Sequence, residues 1–468
     1  MKKHLFFGLF FIFSILCLSQ TKGDLDPDFN FSTAVANSQA RNIIVQNDGK
    51  ILIGGWITHS TSNKQHLFRL NSNGDIDNTF NLPSVCTNMN SVYSVALQND
   101  GKIIFGQEVI TSGTAVRFYR LNTNGDLDAT FNNGTGFNDT PYCIKIQNDG
   151  KILVGGNFTS YNGTISNRLI RLNTDGTVDT SFNVSAGFDA TVRVIEVQTD
   201  GKILVGGDFT TFNGATKRGL VRLNSNGTID NYFYIGVGPS NNVNSIYIQS
   251  DGKILVGGLF GTFNNTSYKN LVRLLSGGSI DTSFNIGVGF VNQPTNNTGD
   301  TASRVNSIKI SGSNILVGGL FTSVNNVAKS NFVSLNMDGS IDSNFNIGTG
   351  FSFNYGDDVN YTKPQVFSLA VQNDAKIIAG GFFKKYNGVS KYYLARLLGN
   401  SILSVEDYEK QNLQIYPNPS TDFIFVKNIG AKKYEIYEIS GKKIIFGELK
   451  EKINIQNLPN GEYLLKKV

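Results

Sequence analysis

Histidine is nearly missing from this 468-residue chain, which has His4, His59 and His66 and no others. That scarcity excludes a multi-histidine metal centre and leaves little material for Ser-His-Asp hydrolysis. Cysteine is equally scarce, with only Cys17, Cys86 and Cys143, so a disulfide-stapled scaffold is excluded. Asp, Glu, Lys and Arg together make up 16% of residues, against roughly a quarter in ordinary soluble domains. The net charge is +5, and setting aside Lys2 and Lys3 of the N-terminal segment leaves about +3. A balance so small provides no electrostatic footprint for nucleic acid or an anionic membrane. Nothing in the composition asks for a cofactor or a bound metal. There is 1 Trp, 3 Met and 9 Pro beside 50 Gly and 34 Phe, a profile unlike the Ala-, Leu-, Glu- and Lys-rich make-up of helices. Hydrophobic residues at 40% and aromatics at 11% fill a core and exclude a disordered chain. Many short strands joined by tight glycine turns fit this profile.

Length alone, at roughly 150 residues per domain, suggests about three domains, a count that an internal repeat overturns. Residues 1–19 read as a signal peptide: Lys2 and Lys3 precede an apolar run from Leu5 to Leu18, too short to span a bilayer comfortably. Cys17 as a lipidated residue is the alternative, disfavoured by the bulky Leu16 before it. No other stretch reads as a transmembrane span. Export to an oxidising compartment leaves a Cys86–Cys143 bridge or two separately packed thiols open.

Self-similarity then decides the architecture. A first anchor recurs seven times: QNDGKILIGG (46–55), QNDGKIIFGQ (98–107), QNDGKILVGG (147–156), QTDGKILVGG (198–207), QSDGKILVGG (249–258), SGSNILVGG (311–319) and QNDAKIIAGG (372–381). A second anchor of the form RLNSNGDIDNTFN (69–81) follows six of them. After the seventh only Arg396, Leu397 and Leu398 remain, and the missing half stands at the other end of the chain as GDLDPDFN (23–30). Asp-Gly and Asn-Gly between apolar runs favour two-residue hairpins because those turns need φ > 0. Each repeat should therefore supply four antiparallel strands. The first shows period-2 pairs such as Ile43/Val45, Ile195/Val197 and Leu369/Val371, with a freely varying residue between them. Four-stranded units repeated radially make a β-propeller. The split repeat predicts a seven-bladed ring over residues 20–400, closed by an N-terminal strand, with the recurrent Phe29, Phe80, Phe131, Phe182, Phe233, Phe284 and Phe345 in the blade cores.

These DGKILVGG and LNxDGxxDxxFN patterns, over about residues 23–399, resemble the delta-60 repeats of bacterial secreted proteins, a family that implies a propeller and no particular activity. The single Trp56 argues against kelch, WD40 and Asp-box repeats. After a polar linker (401–412), residues 413–468 read as a small antiparallel β-sandwich. Tyr416-Pro417-Asn418-Pro419, Ser440-Gly441-Lys442 and Leu458-Pro459-Asn460-Gly461 make it similar to the C-terminal sorting domain of type IX secretion in Bacteroidetes. That resemblance implies the type IX machinery and its sortase-like peptidase as partners, and a released or surface-attached product.

Short turns fall at one end of each blade and long connections at the other. Enlarged crossovers at Val291–Ser303 and Ser352–Pro364, with the atypical loop of repeat one, suggest one lip containing Trp56, His59, Asp300, Tyr355, Asp357, Asp358 and Tyr361. Asp357-Asp358 could serve as an acid/base pair or bind Ca²⁺, but adjacent carboxylates in a polar loop are ordinarily solvated. The expectation is a secreted or surface binding module, adhesive or glycan-facing, for a glycan or protein ligand and without catalysis. A polysaccharide-active enzyme, which would need paired acids facing a cleft, and a structural matrix component are the alternatives.

Overall fold

The computed structural model describes residues 21–31, 38–60, 62, 64–83, 86, 91–108, 118–293, 302–353 and 363–399. Towards the C terminus it describes 414–416, 422–427, 433–438, 442–448, 452–459 and 463–467. The segments expected to be a signal peptide and a linker, and most of the two enlarged crossovers, lie outside the described residues. The chain separates into two compact units, Met1–Ser401 and Ile402–Val468.

Each repeat builds a three-stranded antiparallel sheet in the order inner, middle, outer. In blade four these are Val192–Val197, Ile203–Gly207 and Leu220–Leu223; in blade one they are Gln39–Val45, Ile51–Thr58 and Gln65–Leu70. The middle strands of blades two to seven are buried along their length, as strands covered on both faces must be, and that of blade one is buried except at Trp56 and Thr58. Inner strands touch their counterparts in sequence from blade one to blade seven, and the last packs against the first.

The paired glycines have two separate jobs. A Cβ at Gly257 would lie 2.5 Å from Val305 Cγ1 of the next blade, so the first glycine lets blades approach. At the second, a Cβ on Gly258 would lie 2.1 Å from the Asn242 carbonyl oxygen of its own inner strand. The connection after the middle strand, read from sequence as a loop, forms a small hairpin in blades three to seven, such as Thr211–Phe212 with Ala215–Thr216. Asn213 turns it with φ 50°, a conformation asparagine tolerates.

The expected fourth strand is reduced to a single bridge per blade, for example Leu70 to Ile76 and Leu223 to Ile229. The reason is the aspartate that follows. Asp77 N–H still pairs with the Arg69 carbonyl, but Asp77 Oδ1 accepts from Thr79 N–H at 2.9 Å and curls the chain into a turn. The N-terminal segment repeats this geometry on the last blade. Leu25 bridges Leu397, Asp26 N–H donates to the Arg396 carbonyl, and Gly23 N–H donates to the Leu398 carbonyl.

A buried ionic device accompanies the turn. In blade one, Asp77 Oδ2 meets Arg69 Nε at 2.7 Å and Lys50 Nζ at 3.0 Å, and the guanidinium lies 4.8 Å over the Phe80 ring. Arg69 Nη1 also donates to the Thr123 carbonyl of the next blade. Asp26, Arg396, Lys376 and Phe29 reproduce the set across the two ends of the propeller, with Arg396 reaching the Ser72 carbonyl of blade one. Blade six lacks both cations: Asn314 and Ser334 hold Asp342 at 3.1 and 3.3 Å. All seven recurrent phenylalanines are buried.

Cys86 and Cys143 form no disulfide; they lie in separate cores, and burial pushes the Cys143 thiol well up. In the C-terminal unit two three-stranded sheets meet through Ile436 and Ile453, with Ile424, Ile445 and Leu458 packed against them.

Candidate functional site at the channel mouth

In every blade the register between inner and middle strands slips by one residue near the start of the inner strand. Arg41, Tyr93, Tyr142, Arg193, Asn244, Asn306 and Phe367 are the residues left over at these bulges. A bulge re-aims its side chain and recurs beside binding sites. Here the bulged side chains meet one another. The Arg41 guanidinium lies 4.6 Å from the Tyr93 ring and 4.8 Å from the Phe367 ring, touching both neighbouring blades. Tyr93 and Tyr142 pack edge to face at 5.0 Å, and Arg193 lies 5.7 Å from Tyr142. Asn306 Nδ2 donates to the Val366 carbonyl at 2.9 Å.

A second tier comes from the residue after the glycine pair or its counterpart: Trp56, Glu108, Asn157, Asp208, Leu259, Leu320 and Phe382. Asp208 binds Arg193 through both carboxylate oxygens, at 2.5 and 2.7 Å. Glu108 accepts from the Tyr93 hydroxyl at 3.2 Å. Asn157 donates to Asp139 at 2.8 Å and accepts from the Thr191 hydroxyl. Blades two to four thus present hydrogen-bonded polar groups, whereas blades five, six, seven and one carry Leu259, Leu320, Phe382 and Trp56. Burial raises the Tyr93 and Tyr142 hydroxyls above their ordinary pKa, so both are donors at neutral pH. Burial disfavours the Arg193 charge, but Asp208 more than compensates and its pKa is raised.

Further along the inner strands stand Ile44, Ala96, Lys145, Glu196, Tyr247, Lys309 and Ala370. Lys145 and Glu196 pair at 2.5 Å. Burial lowers the Lys309 pKa; Glu196 pulls it back up and Lys145 pushes it down. These groups belong to blades three, four and six. Among the described residues no group of three His, Cys, Asp or Glu side chains gathers for a metal. Hydrogen-bond donors, aromatic faces and planar amides stand together at these positions.

Of the residues expected at the lip, Trp56 is 43% exposed and packs 5.3 Å from His66. His59 is only 8% exposed, its ring set between Phe31 and Phe68 and its pKa lowered by burial. It belongs to the core of blade one. Asp300, Tyr355, Asp357, Asp358 and Tyr361 lie outside the described residues, as do Pro417, Asn418, Pro419, Gly441 and Gly461. Tyr416 ends the strand Gln414–Tyr416, opposite Phe425. The bulge residues escaped the sequence reading because strict alternation sets Arg41 and Tyr93 on the same face as Ile43 and Val95, and the register slip breaks that assignment. The variable residue after each glycine pair marked only the second tier.

Seven radial sheets with a separate small sandwich define a propeller carrying a terminal module. The chain belongs to the family described as a domain of unknown function (DUF5122) β-propeller, matched at residues 46–80, 98–131, 147–182, 198–233, 249–284, 314–345 and 372–401. Residues 414–467 match the secretion system C-terminal sorting domain. The protein is therefore a β-propeller sorted by type IX secretion to the cell surface or beyond. Among the described residues no helix is long and apolar enough to cross a membrane.

No curated protein matches the chain. Among solved structures it is similar to the extracellular domain of a putative one-component system from B. thetaiotaomicron, at 15% identity and TM-score 0.48 over 87% of this chain and 45% of that one. It is also similar to PorZ of Porphyromonas gingivalis, a surface component of the type IX secretion system, at 13% identity and TM-score 0.45 over 90% and 55%. The chain thus spans about half the length of these structures. A gluconolactonase of Xanthomonas campestris matches at 11% identity and TM-score 0.35, over 65% of this chain and 90% of that one.

Proposed function

We propose that the propeller is a non-catalytic binding module that takes an extracellular glycan at the channel mouth. The carrying observation is the run of bulged side chains, in which Arg41 lies over Tyr93 and Phe367, Tyr93 meets Tyr142 edge to face, and the Asn244 amide donates to Asn306 at 3.5 Å. Aromatic faces suit the apolar face of a sugar ring, and planar amides and guanidinium groups suit its hydroxyls. Four residue types (Arg, Tyr, Asn and Phe) share the seven equivalent bulge positions, and that variation supports recognition. Sorting to the outside supports an extracellular ligand.

The test exposes the secreted protein to a glycan array and, in parallel, to soluble polysaccharides analysed for chain shortening. Saturable binding without shortening is the expected result, abolished by Tyr142→Ala with an unchanged thermal midpoint. Shortening of a bound polymer overturns the non-catalytic reading, and binding only to proteins overturns the glycan.

A further inference from the structure

The two bulge arginines are not equivalent, and the difference defines the ligand. In blade four Arg193 is neutralised by Asp208, the residue after the glycine pair, through a two-pronged contact at 2.5 and 2.7 Å. In blade one Arg41 occupies the same bulge, but the residue after its glycine pair is Trp56. Arg41 consequently forms no ion pair among the described residues. Its one side-chain acceptor is the neutral Gln39 Oε1 at 2.6 Å, and its Nε is buried with no hydrogen-bond partner. Tyr93 and Phe367 hold the guanidinium from two sides, which fixes its plane without supplying a counter-charge. A guanidinium so placed presents a fork to a carboxylate or sulfate.

We infer that the site selects an acidic glycan, whose carboxylate or sulfate pairs with Arg41 while a sugar ring lies against the exposed Trp56. The exchange of an acid for an aromatic at one repeat position does both: it removes the internal partner of Arg41 and adds a flat face beside it. This inference rests on the glycan reading above and deepens it to one chemical class.

Calorimetric titration of the whole secreted protein separates the two. The probes are polygalacturonate (carboxylate), chondroitin sulfate (sulfate and carboxylate), neutral dextran and, as a protein-like polyanion, poly-glutamate. Binding of one or both acidic polysaccharides is expected, at least about tenfold tighter than dextran and weakened by added salt. Arg41→Gln is expected to reduce that affinity about tenfold or more, and Trp56→Ala several-fold, with unchanged thermal midpoints; Arg193→Gln serves as the charge-matched comparison. Should Arg41→Gln unfold, the salt dependence and Trp56→Ala decide in its place. Dextran bound as well as the acidic polymers, or full affinity in Arg41→Gln, overturns the acidic class while leaving the glycan reading standing. Poly-glutamate bound in preference to every polysaccharide, or no polysaccharide bound, overturns both.

Discussion

Replacing Asp26 by alanine tests the ionic device and the junction between the two ends of the propeller together. Asp26 is nearly inaccessible and holds Arg396 at 2.6 Å and Lys376 at 3.1 Å, with 370 residues separating it from Arg396. Its loss strands the buried guanidinium, which retains only the Ser72 carbonyl, Gln372 and the Phe29 face. Removing one partner of a buried pair costs about 3–5 kcal/mol because the remaining charge is uncompensated. A cooperative unit of about 380 residues unfolds with an entropy of roughly 0.8 kcal/mol/K, so 4 kcal/mol lowers the thermal midpoint by about 5 °C. Blade six supplies the internal comparison, because Asp342 there is held by the neutral Asn314 and Ser334. Asp342→Ala leaves no stranded cation and should cost about 1–2 kcal/mol, or roughly 1–3 °C. Scanning calorimetry of the whole chain reads both. Equal shifts in the two variants, or an Asp26→Ala midpoint within about 1 °C of the parent, would refute the reasoning.

Two further outcomes follow from the repeated geometry. Burial alone would raise the carboxyls of Asp77, Asp128, Asp179 and Asp281, but hydroxyl, backbone and cationic partners outweigh it and hold all four far below the ordinary range. A depressed folded pKa stabilises above the unfolded value of about 3.9 and loses that contribution as pH falls through the folded value. Midpoints should therefore hold steady from this source between about pH 7 and 5 and fall steeply below about pH 4; a level midpoint down to about pH 2 would count against it. For blade contact, a methyl at Gly257 would sit 2.5 Å from Val305 Cγ1 and 2.9 Å from Ile308 Cδ1, while one at Gly261 meets nothing within 4 Å. Gly257→Ala should cost about 1–3 kcal/mol by overpacking and Gly261→Ala close to nothing, measured by denaturant midpoint; the reverse order would sink the blade-approach argument.

The repeat period, the split seventh unit and the sorting module could all be read from the residues, because each leaves a local mark. A turn that needs positive φ takes Asn-Gly or Asp-Gly, and a buried middle strand takes Ile, Leu and Val in a row. Even the ionic device was present in the text as the Lys of DGK, the Arg of RLN and the Asp before each Phe, although its members look unrelated when read along the chain. Three assignments depended on folding. The fourth strand shrank to one bridge because an Asp side chain captures a backbone N–H two residues on, a competition that apolar patterning does not register. His59 looked like a surface ligand in an odd loop and lies instead between Phe31 and Phe68.

The mouth itself was the largest gap. Sequence alone displayed seven similar units, the last of them split between the two ends of the chain, and after each glycine pair a residue that varies. Only the tertiary structure decided which variable residues face one another. A one-residue slip in each inner strand carries Arg41, Tyr93, Tyr142, Arg193, Asn244, Asn306 and Phe367 out of the alternating pattern, and the circular arrangement then brings side chains from distant repeats into contact. A bulge changes no residue's polarity and so leaves no mark in hydropathy. In six blades the second glycine lets a carbonyl oxygen of the neighbouring segment come closer than a Cβ would allow, but blade two makes the same slip with Gln107 there, so only the three-dimensional pairing reveals it.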